Sequence, residues 1–409
     1  MSGSDAVTST RFLLTILSLS LCAGPATAGA DQQPSFARQS GLREGGSLVI
    51  KAGVIWPITG SAITNGLVII ENGKITAVGA NLPVPEGAKI LEMPDKHIMP
   101  GLIDGHCHLG LSLDVFAEIE ETVSAVTPDM QILDAFNPLA GDVTKALRSG
   151  VTTVLLAPGY RNPIAGQMAI VKLPGGKKDA GVVQRSAGVK FSLGNEALMS
   201  DRRPTSCPGL MAQVREELNK AGQYQESKFD TQAEILRRVV QGQLPVHIYC
   251  NAVDEILAAI KLIDEYKLKA VIVGAREADE LAEMLAERNI ALIYMPTILA
   301  SKDKDLKRVG KIAAAGVKVA FASYAPRTNL SDLRTSAIIA AKYGLTPELA
   351  LKGLTINAAE ILGVAQRLGS IEPGKDADLV ILSGDPLELT SGVEMVIIDG
   401  NIVYQREQK

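Results

Sequence analysis

From residue 99 to about 364, short β-branched runs alternate with stretches patterned for helix, and this alternation constrains the fold more than any other feature. Strands are expected at 99–106, 150–157, 168–173, 188–193, 244–250, 269–274, 290–295 and 317–323. Helical segments such as 253–266 and 277–288 fall between them, and in the second Ala278, Leu281, Ala282 and Leu285 recur at helical spacing. Thr231 and Glu234 have the spacing of a capping box, and Asn357 and Gly363 bracket a short helix. Strands and helices in this order predict an α/β protein closed into a (β/α)8 TIM-like barrel, with its chemistry at the C-terminal strand ends. A doubly wound sheet is the alternative, but no glycine-rich phosphate loop follows any strand.

The two ends of the chain have a different texture. Residues 48–51, 66–70 and 74–78 are short β-runs, the last two joined by Asn72-Gly73; residues 377–382, 393–398 and 402–404 repeat the pattern around Asp399-Gly400. Such dipeptides between apolar runs signal hairpins. Both ends are expected to combine into one small β-sandwich-like domain, with its parts at 47–98 and 365–409 and the barrel at 99–364.

The first thirty residues are of another kind. Arg11 leads into the apolar run 12–23, and Ala26-Thr27-Ala28 reads as a cleavage signal. Residues 1–30 are expected to be a secretory signal peptide and 31–46 a polar leader, which implies export to a periplasm or the exterior and no lasting membrane anchor after cleavage. The apolar run is short for a transmembrane span. Cys107, Cys207 and Cys250 remain, too few and too irregular for a disulfide framework. Cys107 and Cys250 fall on expected strands and read as buried thiols, whereas Cys207 in a loop is the more reactive. A net charge of −4 without a basic stripe argues against a nucleic-acid partner.

The chain has four histidines, and His106 and His108 lie together in Pro100-Gly101-Leu102-Ile103-Asp104-Gly105-His106-Cys107-His108. Side chains alternate along a strand, so both imidazoles share one face at a strand end, where a metal can be gripped. His97, at the end of the first β-run, reads as structural.

This segment, Gly150-Val151-Thr152-Thr153-Val154, and the tail from Leu368-Gly369-Ser370-Ile371-Glu372-Pro373-Gly374 to Val380 resemble the amidohydrolase superfamily, in particular its imidazolonepropionase-like branch. The resemblance runs from about residue 47 to 405. It implies a divalent metal, zinc in the first instance, a metal-activated water and a small-molecule substrate. Residue by residue, it carries His106, His108 and His247 over as metal ligands, with Lys190 as a further ligand if carbamylated. It then fails at two places. Strand 6 has Gly274 and Ala275 where a histidine is expected, and strand 8 has Tyr324 where an aspartate is expected.

Lys190, Glu277 and Tyr324 are the candidates for the catalytic work these absences leave open, and Glu196 is a further carboxylate near strand 4. Asn162, Gln167, Arg202 and Arg276 are candidates for substrate binding, the arginines facing a carboxylate or offsetting negative charge. Two readings stand. One is a metal-dependent hydrolase of non-peptide, cyclic or peptide-like C–N bonds. The other is a homologue that binds a ligand or partner at the barrel mouth without turnover. Oligomeric state stays open.

Overall fold

The computed structural model describes residues 46–111, 119–175, 181–225, 230–296, 302–329 and 331–407, which belong to one compact unit, Gln39–Lys409. The signal-peptide and leader readings at 1–45 lie outside the described residues. Two sheets organise the chain. The first contains β1 (Ser47–Ile55), β2 (Ile63–Glu71), β3 (Lys74–Ala80) and β4 (Lys89–Pro100). The second contains β5 (Leu102–Cys107), β6 (Val151–Leu156), β7 (Ile164–Lys172), β8 (Gly181–Ser192), β9 (Val246–Cys250), β10 (Ala270–Gly274), β11 (Ala291–Tyr294) and β12 (Val319–Phe321). β13 (Leu379–Leu382), β14 (Val393–Ile398) and β15 (Asn401–Gln405) return to the first sheet, whose order is β15-β14-β13-β4-β1-β2-β3.

The second sheet runs in sequence order from β5 to β12 and nearly closes into a barrel. Backbone bonds draw its ends together: Tyr324 N–H donates to His106 O at 3.2 Å and His108 N–H to Ala325 O at 2.8 Å. One strand departs from the expected pattern. β7 pairs antiparallel with both β6 and β8, while the other neighbours run parallel.

Gly101 alone links β4 to β5. Its N–H donates to Asp378 O at 2.9 Å, and a Cβ there would overlap the Thr152 side chain. The expected hairpins form, with Asn72, Gly73, Asp399 and Gly400 all at positive φ as a type I′ turn requires. The two turns pack on each other: a Cβ on Gly73 would lie 2.9 Å from Asp399 O. β13 and β14 bury both faces. Val380, Leu382, Val396 and Ile398 join the barrel core, while Leu379, Ile381, Met395 and Ile397 join the core of the small sheet.

Local details differ from the sequence expectation in three places. Asp230, not Thr231, caps the helix Thr231–Val240, accepting from Ala233 N–H. Asn357 lies inside the helix Ile356–Ile361 and donates to Val319 O, so it ties the helix to β12 and does not cap it. Cys207 opens the helix Cys207–Gly222 and is exposed, while Cys107 and Cys250 are buried. His97 accepts from Trp56 Nε1 at 3.2 Å inside the small sheet. Among the described residues no helix is long and apolar enough to cross a membrane.

Candidate functional site

β5 carries His106 and His108 to the end of the barrel where β6, β8 and β9 also finish, and both rings are fully buried, 5.4 Å apart edge to face. Lys190 on β8 stands in register with His247 on β9. Its Nζ is 3.2 Å from His106 Nε2 and donates to Pro158 O at 3.4 Å. The fold thus brings together His106, His108, His247 and Lys190.

Burial dominates the electrostatics. It pushes Lys190 down to about 7, against the opposing charge of Glu120. Burial, followed by the Lys190 charge, lowers His108 and His247 to about 3 and His106 well below its usual value, so the imidazoles are neutral. His108 Nδ1–H donates to Ala157 O at 2.8 Å, which fixes the tautomer and leaves Nε2 with a lone pair and no partner. His106 Nδ1 and His247 Nδ1 also lack partners. Neutral imidazoles with open nitrogens are the donor chemistry of a zinc-type ion. Among the described residues, however, no three His, Cys, Asp or Glu side chains converge on a preformed metal position.

The places of the two absent ligands are filled. At the end of β10, Gly274 and Ala275 are both at positive φ, and a Cβ on Gly274 would lie 2.7 Å from Asn251 Oδ1 and 3.3 Å from the Tyr249 ring. The space is taken by side chains from β9 and the turn after it. Beyond β12, Tyr324 is left-handed (φ 58°), and its ring stacks on His106 at 4.8 Å. Its hydroxyl is buried without a partner, and burial raises the phenol well above its ordinary value, so it stays protonated, free to donate a hydrogen bond but unable to serve as a base. Tyr249 and Tyr160 extend this wall, stacked at 5.0 Å. Asp104, raised to about 6 by burial, accepts from the His106 and Ser323 N–H groups and from the Ser323 hydroxyl, tying β5 to the end of β12.

Other sequence candidates lie elsewhere or are engaged. Glu277 accepts from Val253 N–H at 3.1 Å, so its carboxylate is engaged at the start of the helix Val253–Tyr266. Arg276 is exposed, and its backbone carbonyl accepts from Arg308 at 2.6 Å. Glu196 accepts from the Tyr249 hydroxyl at 3.3 Å. Gln167 is buried, bonded to Ser186 and Asp129 O, and serves the β7 pairing. Arg202 donates to Asn162 Oδ1 at 2.6 Å and Arg161 O at 3.0 Å on the chain after β6, while its Nε is buried without a partner. Asn162 donates to Glu121 O at 2.7 Å and lines a cavity of about 400 Å³. Sequence reasoning missed Glu120 on the wall of that cavity; the only local signal was an unremarked Glu120-Glu121 pair.

A nearly closed barrel with histidines at its C-terminal strand ends, joined to a sheet made from both chain ends, defines a barrel hydrolase class. The amidohydrolase family model matches residues 210–403. An amidohydrolase of known structure from Thermotoga maritima is 32% identical, with a TM-score of 0.82 over 88% of this chain and 100% of that one. The amidohydrolase tasK of Hapsidospora irregularis is 26% identical over 87% of this chain, which spans 41% of that protein's length. A 5-methylthioadenosine/S-adenosylhomocysteine deaminase of Symbiobacterium thermophilum is 25% identical (88% of this chain, 93% of that protein), and an imidazolonepropionase of Thermoplasma volcanium is 23% identical (85% and 92%). The chain belongs to the amidohydrolase family, and the relatives it matches include a deaminase and an imidazolonepropionase.

Proposed function

We propose that the chain is an exported, metal-dependent hydrolase of a C–N bond in a small molecule, a cyclic or peptide-like amide. The observation that carries this reading is the set of buried, neutral imidazole nitrogens without partners at His106, His108 and His247. Buried polar atoms of this kind are rare unless a ligand satisfies them. These residues would hold one divalent ion, zinc by its affinity for imidazole, which would supply Lewis acidity and an acidified water. Lys190 would join them if its amine, neutral in part near pH 7, is carbamylated. Ala157 O holds His108 in one tautomer. The Tyr324 hydroxyl donates a hydrogen bond to the developing oxyanion. The Tyr160–Tyr249–Tyr324 wall excludes water from the histidine side.

A second reading, ligand binding without turnover, is favoured by one observation: Tyr324 stacks on His106 while Asn251 and Tyr249 fill the strand-6 position. Metal analysis of the protein loaded with zinc, followed by a hydrolysis screen over lactams, hydantoins and dipeptides, separates the two. The hydrolase reading expects one ion per chain, lost in His108→Ala, and turnover reduced by more than about 100-fold in that variant. Zinc at background level in the parent, or turnover unchanged by His108→Ala, would overturn it. Dependence on bicarbonate, abolished in Lys190→Met, is expected of a carbamate. Export rests on residues 11–28, and N-terminal sequencing of the mature protein tests it: a start before the Ala26-Thr27-Ala28 signal would exclude cleavage there.

A further inference from the structure

The cavity beside the histidine–lysine cluster has walls of one charge. Its described lining includes Glu120, Glu121 and Asp134 and no basic side chain, with Met130, Ile132 and Pro158 among its apolar members. Pro158 connects it to the site, because its carbonyl accepts from Lys190, whose amine lies 3.2 Å from His106 Nε2.

Glu120 is built into this wall. Its side chain is only 5% exposed. Arg161 N–H donates to Oε1 at 2.7 Å, and the carboxylate lies so close over Gly159 that a Cβ there would overlap it. Gly159 N–H donates to Ile119 O at 2.8 Å, and Asn162 donates to Glu121 O, so the backbone is tied down on both sides of Glu120. The Arg161 guanidinium reaches Oε2 at 3.5 Å but is 55% exposed, and such a pair offsets little charge. Arg202, expected from sequence to meet a carboxylate, donates to Asn162 and Arg161; it and Lys190 act on Glu120 through charge, with no hydrogen bond to its carboxylate.

We infer that Glu120 is a substrate-binding residue and that this cavity selects a small molecule carrying a positively charged nitrogen, an amine or guanidinium, next to an apolar group. A buried carboxylate facing a cavity of mixed acidic and apolar lining gains most from a ligand that brings its own positive charge and N–H donors. The substrate assignment rests on the hydrolase reading; the binding assignment does not.

The test measures binding of benzylamine, benzyl alcohol and benzoate, which share a ring and differ in head group, to the full-length protein in the presence of a chelator, by calorimetry. Benzylamine should bind most tightly and benzoate least. Glu120→Gln should weaken benzylamine by about tenfold or more and leave benzyl alcohol nearly unchanged. Ala135→Leu, which narrows the cavity from its other side, should weaken all the probes and serves if Glu120→Gln does not fold. Benzoate binding as well as benzylamine, or benzylamine affinity unchanged in a folded variant of either kind, would overturn the inference. In the hydrolysis screen, amides of lysine or arginine should exceed those of glutamate. Benzylamine binding without any turnover would remove the hydrolase reading and leave the cation site standing. Turnover with a preference for acidic amides would do the reverse.

Discussion

At the scale of single residues, burial, reinforced by the Lys190 charge, sets the behaviour of the histidines. His108 and His247 are held at about 3 by burial, against 6.5 for an ordinary histidine. Between those values the unfolded chain binds protons that the folded chain does not. Each ring therefore contributes stability that is complete above pH 6.5 and is lost as the pH falls toward 3. Asp104 and Asp378, raised to about 6 by burial, have the opposite slope, since the folded chain takes up their protons first. The parent profile mixes these effects, and a variant isolates one. His247→Gln should lose about 1.4 kcal/mol less stability per pH unit than the parent as the pH falls from about 6 to 4. Urea titrations across that range measure it, and parallel slopes would mean that His247 is not held neutral. Glu120 marks the limit of reading residues in isolation: a carboxylate in an acidic loop looks solvated until the missing side chain at Gly159 lets it fold inward.

At the scale of elements, local chemistry was legible and strand direction was not. The Asn72-Gly73 and Asp399-Gly400 turns were readable because positive φ is a property of the residues that occupy it. The antiparallel course of β7 left no trace, because Ile164–Lys172 is buried on both faces and such an apolar run looks the same in either direction. Closure of the barrel depends on Asp104, which accepts two backbone N–H groups and a hydroxyl across β5 and the end of β12. Asp104→Ala should leave those donors buried without an acceptor and cost about 2–4 kcal/mol in chemical denaturation. A loss below about 1 kcal/mol would show that backbone pairing alone closes the barrel.

At the scale of the whole molecule, the two sheets are locked by charge as well as by apolar packing. Lys172, at the end of β7 away from the histidines and 3% exposed, donates to Asp376 at 2.8 Å, Asp378 at 3.1 Å and Asp399 at 2.5 Å. Lys74 and Arg367 bind Asp376 from the other side. Lys172→Met should destabilise the fold by about 3–5 kcal/mol, because it leaves the buried Asp378 carboxylate uncompensated. A melting temperature unchanged from the parent would place the junction's stability in its apolar contacts instead.

The sequence by itself determined the strand–helix alternation, the hairpins, the strand-end position of His106 and His108 and the absence of two expected ligands, because each is a matter of residue type and short-range spacing. Only the tertiary structure decided what occupies the vacated places and what charge faces the substrate. Asn251 and Tyr249 meet Gly274, Tyr324 meets His106, and Glu120 settles over Gly159 through contacts between distant segments. Burial, which sets the protonation of all these groups, exists only once those segments have packed.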